Sequence, residues 1–237
     1  MAVPGTSGPL AALESLARRV GRLMRQNLRT LVAAVAAIVF LGLLEDVAEG
    51  EVMKLDTMAY QHFVVRMRSD ALTPVMEGLS ALASPVTVLV MALVVAAFAP
   101  GRAPGRCVVL NLACVIVLNQ LLKFIVQRPR PDGFRLVAES GYSFPSGHSM
   151  FAVGFFGLLA WMVWRYEKDR GERYLWSICF SLIAVLVGLS RIYLGVHYAS
   201  DVVAGFCVSL AWLAFYTHTV APAMLESEDA SGEKTVG

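Results

Sequence analysis

Six stretches of this chain are apolar and long enough to cross a bilayer, and that property limits the possible folds more than any other. A bilayer core takes about 20 apolar residues per helix at a rise of about 1.5 Å, and shorter runs are rescued by flanking side chains that reach the headgroups. The runs cover residues 30–44, 79–100, 107–122 (continuing past Lys123 to 126), 149–164, 174–190 and 202–220. The composition agrees: of 237 residues, 57% are hydrophobic and only 16% are charged, against about a quarter charged in soluble proteins. A formal charge of +2, from 20 Lys plus Arg and 18 Asp plus Glu, supplies no concentrated basic face for a nucleic-acid partner. The expected fold is an all-α integral membrane bundle of six transmembrane helices; the numbers argue against a soluble enzyme or a nucleic-acid binder.

The first run follows a basic stretch and precedes Ala48-Glu49-Gly50, a small-x-small pattern that a secretory signal also shows. That basic stretch is too long for an ordinary signal, and five further spans hold the chain in the membrane, so the run reads as an uncleaved first helix. Cytoplasmic loops carry an excess of Lys and Arg. With the N-terminus inside, the cytoplasmic side receives Arg18, Arg19, Arg22, Arg25 and Arg29, then Arg102 and Arg106, then Arg165, Lys168, Arg170 and Arg173, and finally Lys234. Residues 1–29 form a basic cytoplasmic segment, 30–225 the membrane domain, and 226–237 an acidic tail expected to be disordered. Both termini are then cytoplasmic.

The outer face receives Lys54, Arg66 and Arg68 in the long first loop, and Lys123, Arg128, Arg130, Arg135 and Arg191 at or near helix ends. This second group breaks the charge rule, and it surrounds the two histidines that lie in motifs, His148 and His197. Within residues 45–78, Leu55, Ala59, Phe63 and Met67 recur at helical spacing, which predicts a helix near 56–69. It reads equally as an extracytoplasmic interfacial helix between spans 1 and 2 or as a solvated loop helix. Cys107, Cys114, Cys179 and Cys207 all lie inside apolar runs without CxxC spacing, so they read as reduced packing residues, not as disulfides or zinc ligands.

Three motifs share the outer face. Lys123-Phe-Ile-Val-Gln-Arg128-Pro129-Arg130-Pro131 ends the third span, because proline lacks the backbone donor and restricts the residue before it. Lys123 and Arg130 can converge on one anion, although a cation at a helix end commonly just snorkels to the headgroups. Pro145-Ser146-Gly147-His148 opens the fourth span, and a helix N-terminus of this composition suits an oxyanion through its free N–H groups and dipole. A plain helix cap with a bystander histidine would read the same way. Ser190-Arg191 with His197 and Asp201 bridges the last two spans; four residues apart on a helix, His197 and Asp201 would stack, with the carboxylate fixing the imidazole tautomer.

Together these residues resemble the type 2 phosphatidic acid phosphatase family, whose motifs run KxxxxxxRP, PSGH and SRxxxxxHxxxD. All three occur in full and in order, as Lys123 with Arg130-Pro131, as Pro145-Ser146-Gly147-His148, and as Ser190-Arg191 with His197 and Asp201. The resemblance covers about residues 78–219 and implies phosphoryl transfer, in which catalysis is mainly positioning and charge stabilisation. It implies that Lys123, Arg130 and Arg191 hold the phosphate, with Ser146 and the Gly147 N–H completing the cradle. His197 is then the nucleophile, Asp201 orients its ring, and His148 protonates the leaving oxygen before activating water. No metal and no cofactor are implied.

A phosphate held at headgroup level points to a membrane lipid phosphate as substrate, with the bilayer as its other partner. The resemblance offers phosphatidic acid, phosphatidylglycerol phosphate or a polyprenyl pyrophosphate such as undecaprenyl pyrophosphate. An outward-facing site in a bacterial plasma membrane favours the last two, with a lipid A phosphatase still open. A non-catalytic lipid or anion transporter is the alternative of a different class, and it would carry charged or broken helices at the bilayer midplane. The haloperoxidases have a similar site but are soluble. Asn111, Asn119 and Gln120 read as interhelical hydrogen-bond partners, with contact to Lys123 as the alternative. Trp161, Trp164 and Trp176 read as interfacial anchors, and His62 and His218 receive no role.

Overall fold

The computed structural model describes residues 27–50, 53–99, 101–133 and 135–233, with side chains up to 226. The basic residues expected at Arg18, Arg19, Arg22 and Arg25, and at Lys234, lie outside the described residues. Among the described residues there is no strand. In chain order the α-helices are α1 (Leu28–Ala48), α2 (Lys54–Ala59), α3 (Thr73–Ala81), α4 (Pro85–Phe98), α5 (Ala103–Val126), α6 (Gly147–Tyr166), α7 (Arg170–Tyr193) and α8 (Ala199–Glu233). A π-helical turn, Tyr60–Arg66, continues directly from α2. Five helices, α1, α5, α6, α7 and α8, are long and apolar enough to cross a membrane; the count is six if the bent pair α3–α4 is one span.

That bend differs from the continuous second span expected from hydropathy. The two halves meet at 52°. Proline at the first position of α4 has no N–H for the preceding turn, and the Ser84 hydroxyl accepts from Thr87 N at 3.2 Å, starting a new helix there. Apolar content is blind to that signal because every residue around it is still lipid-compatible.

α6 is the central helix. Met150, Ala152 and Leu158 on it have no exposed surface, and it packs between α5, α7 and α8. Asn111 of α5 donates to Gly154 O at 2.8 Å and accepts from Trp212 Nε1 at 2.9 Å, so it links three helices, as its sequence position suggested. α1 lies outside against α8, with only Ala36 buried. All four cysteines are free thiols. α8 continues as backbone helix to Glu233, into the acidic stretch expected to be disordered. Glu and Ala are good helix formers, and extending an existing helix skips the nucleation cost.

The close approach of α8 to α6 depends on Gly205. A Cβ there would stand 2.8 Å from Ser146 O and 3.0 Å from Ser149 Cβ. Backbone cannot yield as a flexible side chain does, so Gly205→Ala should cost about 1–3 kcal/mol and disturb the loop before His148. A lower unfolding midpoint in detergent together with reduced turnover is the expected result; an unchanged midpoint would mean the two helices are not this tightly docked.

The predicted loop helix exists, and of the face expected to pack, Ala59, Phe63 and Met67 meet the bundle while Leu55 does not. Asp56 and Val64 are buried while Leu55 is 45% exposed. Ala59 and Phe63 pack on Ile192, Ala199 and Val202 at the ends of α7 and α8.

Candidate active site

The three motifs meet where α5, α6, α7 and α8 share one end. α5 stops at Gln127, which adopts a left-handed conformation at φ 52°, and Pro129 prevents continuation. Lys123, one turn earlier, donates to Tyr142 O at 2.6 Å and so ties the end of α5 to the loop before α6. Asn119 reinforces this loop from below, donating to Pro145 O at 3.2 Å. Ser146 is the N-cap of α6, but its hydroxyl makes no capping bond.

The third motif is not helical throughout, which corrects the expected stacking of His197 and Asp201 on one helix. α7 ends in a Schellman closure, with Val196 N bonding to Arg191 O at 3.3 Å and Gly195 N to Ile192 O at 2.9 Å. Gly195 supplies the positive φ of 77° that this closure needs. His197 therefore lies in the connection and Asp201 in the first turn of α8. They still meet, because the Asp201 carboxylate reaches back, accepting from Tyr198 N at 2.9 Å and lying 3.3 Å from His197 Nδ1.

The hydrogen bonds assign the imidazole tautomer. Arg130 Nη1 lies 3.2 Å from His197 Nε2, and arginine has donors only, so Nε2 is the acceptor. Nδ1 then carries the proton and gives it to Asp201 Oδ2. Burial pushes the His197 imidazole down to about 4 despite its bond to Asp201, and Arg191 and Arg130 add to the push. The ring is consequently neutral at neutral pH, with a lone pair on Nε2.

Lys123, Arg130, Gly147, His148 and His197 all line one cavity of about 610 Å³. Ser146 and Arg191 are not among the residues that line it. Ser146 Oγ and Arg191 Nε are buried with no hydrogen-bond partner among the described residues, an arrangement proteins rarely leave unexplained. Arg130 is also laced to the carbonyls of Ser140, Gly141 and Val196, which fixes its plane. No group of three His, Cys, Asp or Glu side chains is placed to hold a metal ion among the described residues.

Four residues of the site escaped sequence reasoning. Arg128 Nη1 donates to Asp201 Oδ1 at 2.7 Å, and its other Nη donates to Asp56 at 3.0 Å. Ser143 Oγ donates to Asp201 Oδ2. Glu139 pairs with Arg191 and lies 3.6 Å from Arg130 Nη2. Arg128 had a signal, standing inside the first motif segment; Asp56, 144 residues before Ser200, had none that a local pattern can register.

Glu139 lines the same cavity and engages two of the arginines expected to hold phosphate. Burial would raise its carboxyl, but Arg191 and Arg130 hold it below the usual carboxylate range. An incoming oxyanion must compete with it for those guanidinium groups. Glu139→Gln should therefore tighten inhibition by orthovanadate about tenfold, about 1.4 kcal/mol of competition removed. Weaker inhibition would show that Glu139 holds the arginines in place instead of competing for them.

Comparison with known proteins identifies the family. Phosphatidylglycerophosphatase B of Bacillus subtilis (strain 168) is 36% identical over 157 residues, covering 64% of this chain and 76% of that protein. An undecaprenyl-diphosphatase of Sulfolobus acidocaldarius is 31% identical over 138 residues, covering 55% of this chain and 59% of that protein, so the chain spans less than two thirds of it. The crystal structure of a transmembrane PAP2-type phosphatidylglycerolphosphate phosphatase from Bacillus subtilis superimposes with a TM-score of 0.68 at 29% identity, covering 78% of this chain and 96% of that one. With the family's model matching residues 104–224, more than half of its length, this chain belongs to the PAP2 superfamily.

Proposed function

We propose that this chain removes a phosphate or pyrophosphate group from a membrane lipid through a phosphohistidine on His197, without a metal ion. The observation that carries the reading is the tautomer: a neutral His197 whose Nε2 is unprotonated and accepts from Arg130, beside a cavity that His197 lines with Lys123, Arg130 and His148, so that a phosphate drawing on Arg130 would leave that nitrogen able to attack. In the first step Nε2 attacks phosphorus and the bond from phosphorus to the leaving oxygen breaks, while His148 gives that oxygen a proton. In the second, His148 takes a proton from water, the resulting oxygen attacks phosphorus, the P–N bond breaks, and inorganic phosphate leaves. The unpartnered Ser146 Oγ and Arg191 Nε are spare donors for the charge that builds on the equatorial oxygens.

The lipid assignment rests on the cavity's rim, where Phe124 lines the opening and is 72% exposed, a surface suited to an acyl or prenyl chain. In this reading α3–α4 is one broken span, giving six, and the π-turn segment lies at the outer interface. Arg102, Arg106, Arg165, Lys168, Arg170 and Arg173, in the connections at the other ends of these helices, support the reading that both termini are cytoplasmic and the site faces outward. Undecaprenyl pyrophosphate and phosphatidylglycerol phosphate are the favoured substrates, in line with the names of the two relatives. Phosphatidic acid and lipid A remain alternatives.

The test is phosphate release in detergent with EDTA on undecaprenyl pyrophosphate, phosphatidylglycerol phosphate and phosphatidic acid, followed by quenching with ³²P-labelled substrate. His148→Ala should accumulate acid-labile, alkali-stable label on protein, because the group that activates water is gone. A pyrophosphate should label faster than an ester in this variant, since its leaving phosphate needs less help from an acid. Hydrolysis without any labelled protein in wild type and variant alike would replace the two-step route with direct attack by water.

A further inference from the structure

Asp56 belongs to no motif, yet its carboxylate is 6% exposed and fully engaged beneath the site. Ser200 N donates to its Oδ1 at 2.8 Å, and Ser200 Oγ donates to its Oδ2, also at 2.8 Å. Arg128 Nη2 donates to the same Oδ2 at 3.0 Å. The other end of the Arg128 fork reaches Ser200 Oγ and Asp201 Oδ1, both at 2.7 Å, and the guanidinium carbon lies 4.0 Å from the Tyr198 ring centre. One guanidinium thus serves two carboxylates, and the Ser200 hydroxyl bridges Arg128 and Asp56.

The electrostatic consequence falls on His197. With Asp56 present, Arg128's charge is divided, and Asp201 keeps enough negative character on Oδ2 to hold His197 Nδ1–H. Burial would lower the Arg128 guanidinium, but Asp201 and Asp56 pull it above its ordinary value. Without Asp56 the whole cation would bear on Asp201, weakening that carboxylate just where the ring becomes positive as it bonds phosphorus. Ser200 N would also lose its acceptor, loosening the start of α8 that Asp201 and the His197 connection share.

We propose that Asp56, carried in by the segment between the first two apolar helices, is a positioning residue: it shares Arg128 with Asp201 and anchors the first turn of α8, so that His197 Nε2 is held on line for attack. This role rests on the reading of His197 as the attacking group. It also gives the loop segment a purpose, since its docking completes the hydrogen-bonded charge network behind His197.

The experiment uses full-length Asp56→Asn, Asp56→Glu, Arg128→Gln and the double variant Asp56→Asn/Arg128→Gln in detergent, assayed on the lipid phosphate that wild type hydrolyses fastest, beside His197→Ala. Asp56→Asn should lower kcat about 10- to 100-fold, the scale of a small misplacement of a reacting group, with KM within about twofold. Asp56→Glu should recover part of the loss, because charge and not only shape is needed. On the Arg128→Gln background, Asp56→Asn should add little, since the cation it tempers has been removed. Unchanged kcat, a change confined to KM, or losses that multiply in the double variant would each overturn the proposal. Aggregation of both Asp56 variants would assign the residue to folding and overturn it as well. Wild-type turnover by His197→Ala would instead sink the phosphohistidine reading, and this role with it.

Discussion

Turnover by His197→Ala should fall by at least about 10⁴-fold, because this variant loses the unprotonated ring nitrogen that the third motif brings to the cavity, and losses of that size follow when a covalent nucleophile is removed. Binding should survive. Lys123, Arg130 and the Arg191–Glu139 pair stay where α5, α7 and the intervening loop put them, so the variant should still retain orthovanadate or product phosphate in an equilibrium binding measurement. The combination of dead chemistry and intact anion binding separates loss of the nucleophile from loss of the fold. Substantial hydrolysis by the variant would assign attack to another group, and loss of both properties would show that the imidazole chiefly supports the loop around it.

Asp201→Asn should be nearly as damaging, with kcat lower by about 10³- to 10⁴-fold, as when the carboxylate behind a catalytic histidine is replaced by an amide that favours the wrong tautomer. The geometry here makes the substitution worse than neutral. The native carboxylate is fully buried and accepts from Arg128, Ser143, Tyr198 N and His197. An amide presents one acceptor and two donors to a shell made entirely of donors, so at least one pair must clash. Removing one partner of a buried ion pair costs about 3–5 kcal/mol, and here Asp56 would remain to carry part of Arg128's charge. A lower unfolding midpoint accompanied by the loss of kcat is the expected signature, measured on the monodisperse fraction. Near-normal kcat in a stable Asp201→Asn protein would remove the carboxylate from the mechanism.

Much of this was legible before any coordinates were considered. Apolar runs place helices wherever lipid forbids unpaired backbone, so five spans appear within a few residues of their expected positions. The motif residues converge because each sits at a helix end, and ends joined by short connections cannot separate far. Lys123, His148 and His197 were therefore readable as neighbours. The bend at Ser84-Pro85 was written in the chain too, as an N-cap followed by proline, but a hydropathy average conceals it.

What the sequence by itself determined, then, is the helical membrane architecture, the motif segments that meet at one end of the bundle, and which lysine, arginines and histidines those segments bring there. Only the tertiary structure decided which nitrogen of His197 lacks the proton, since that follows from Arg130 and Asp201 approaching opposite ring nitrogens from distant parts of the chain. The same holds for Glu139 between two arginines and for Asp56 beneath Asp201. Local periodicity and spacing register neighbours within about one or two turns, whereas a buried charge is satisfied by whatever donor the packing brings near, however distant in the chain.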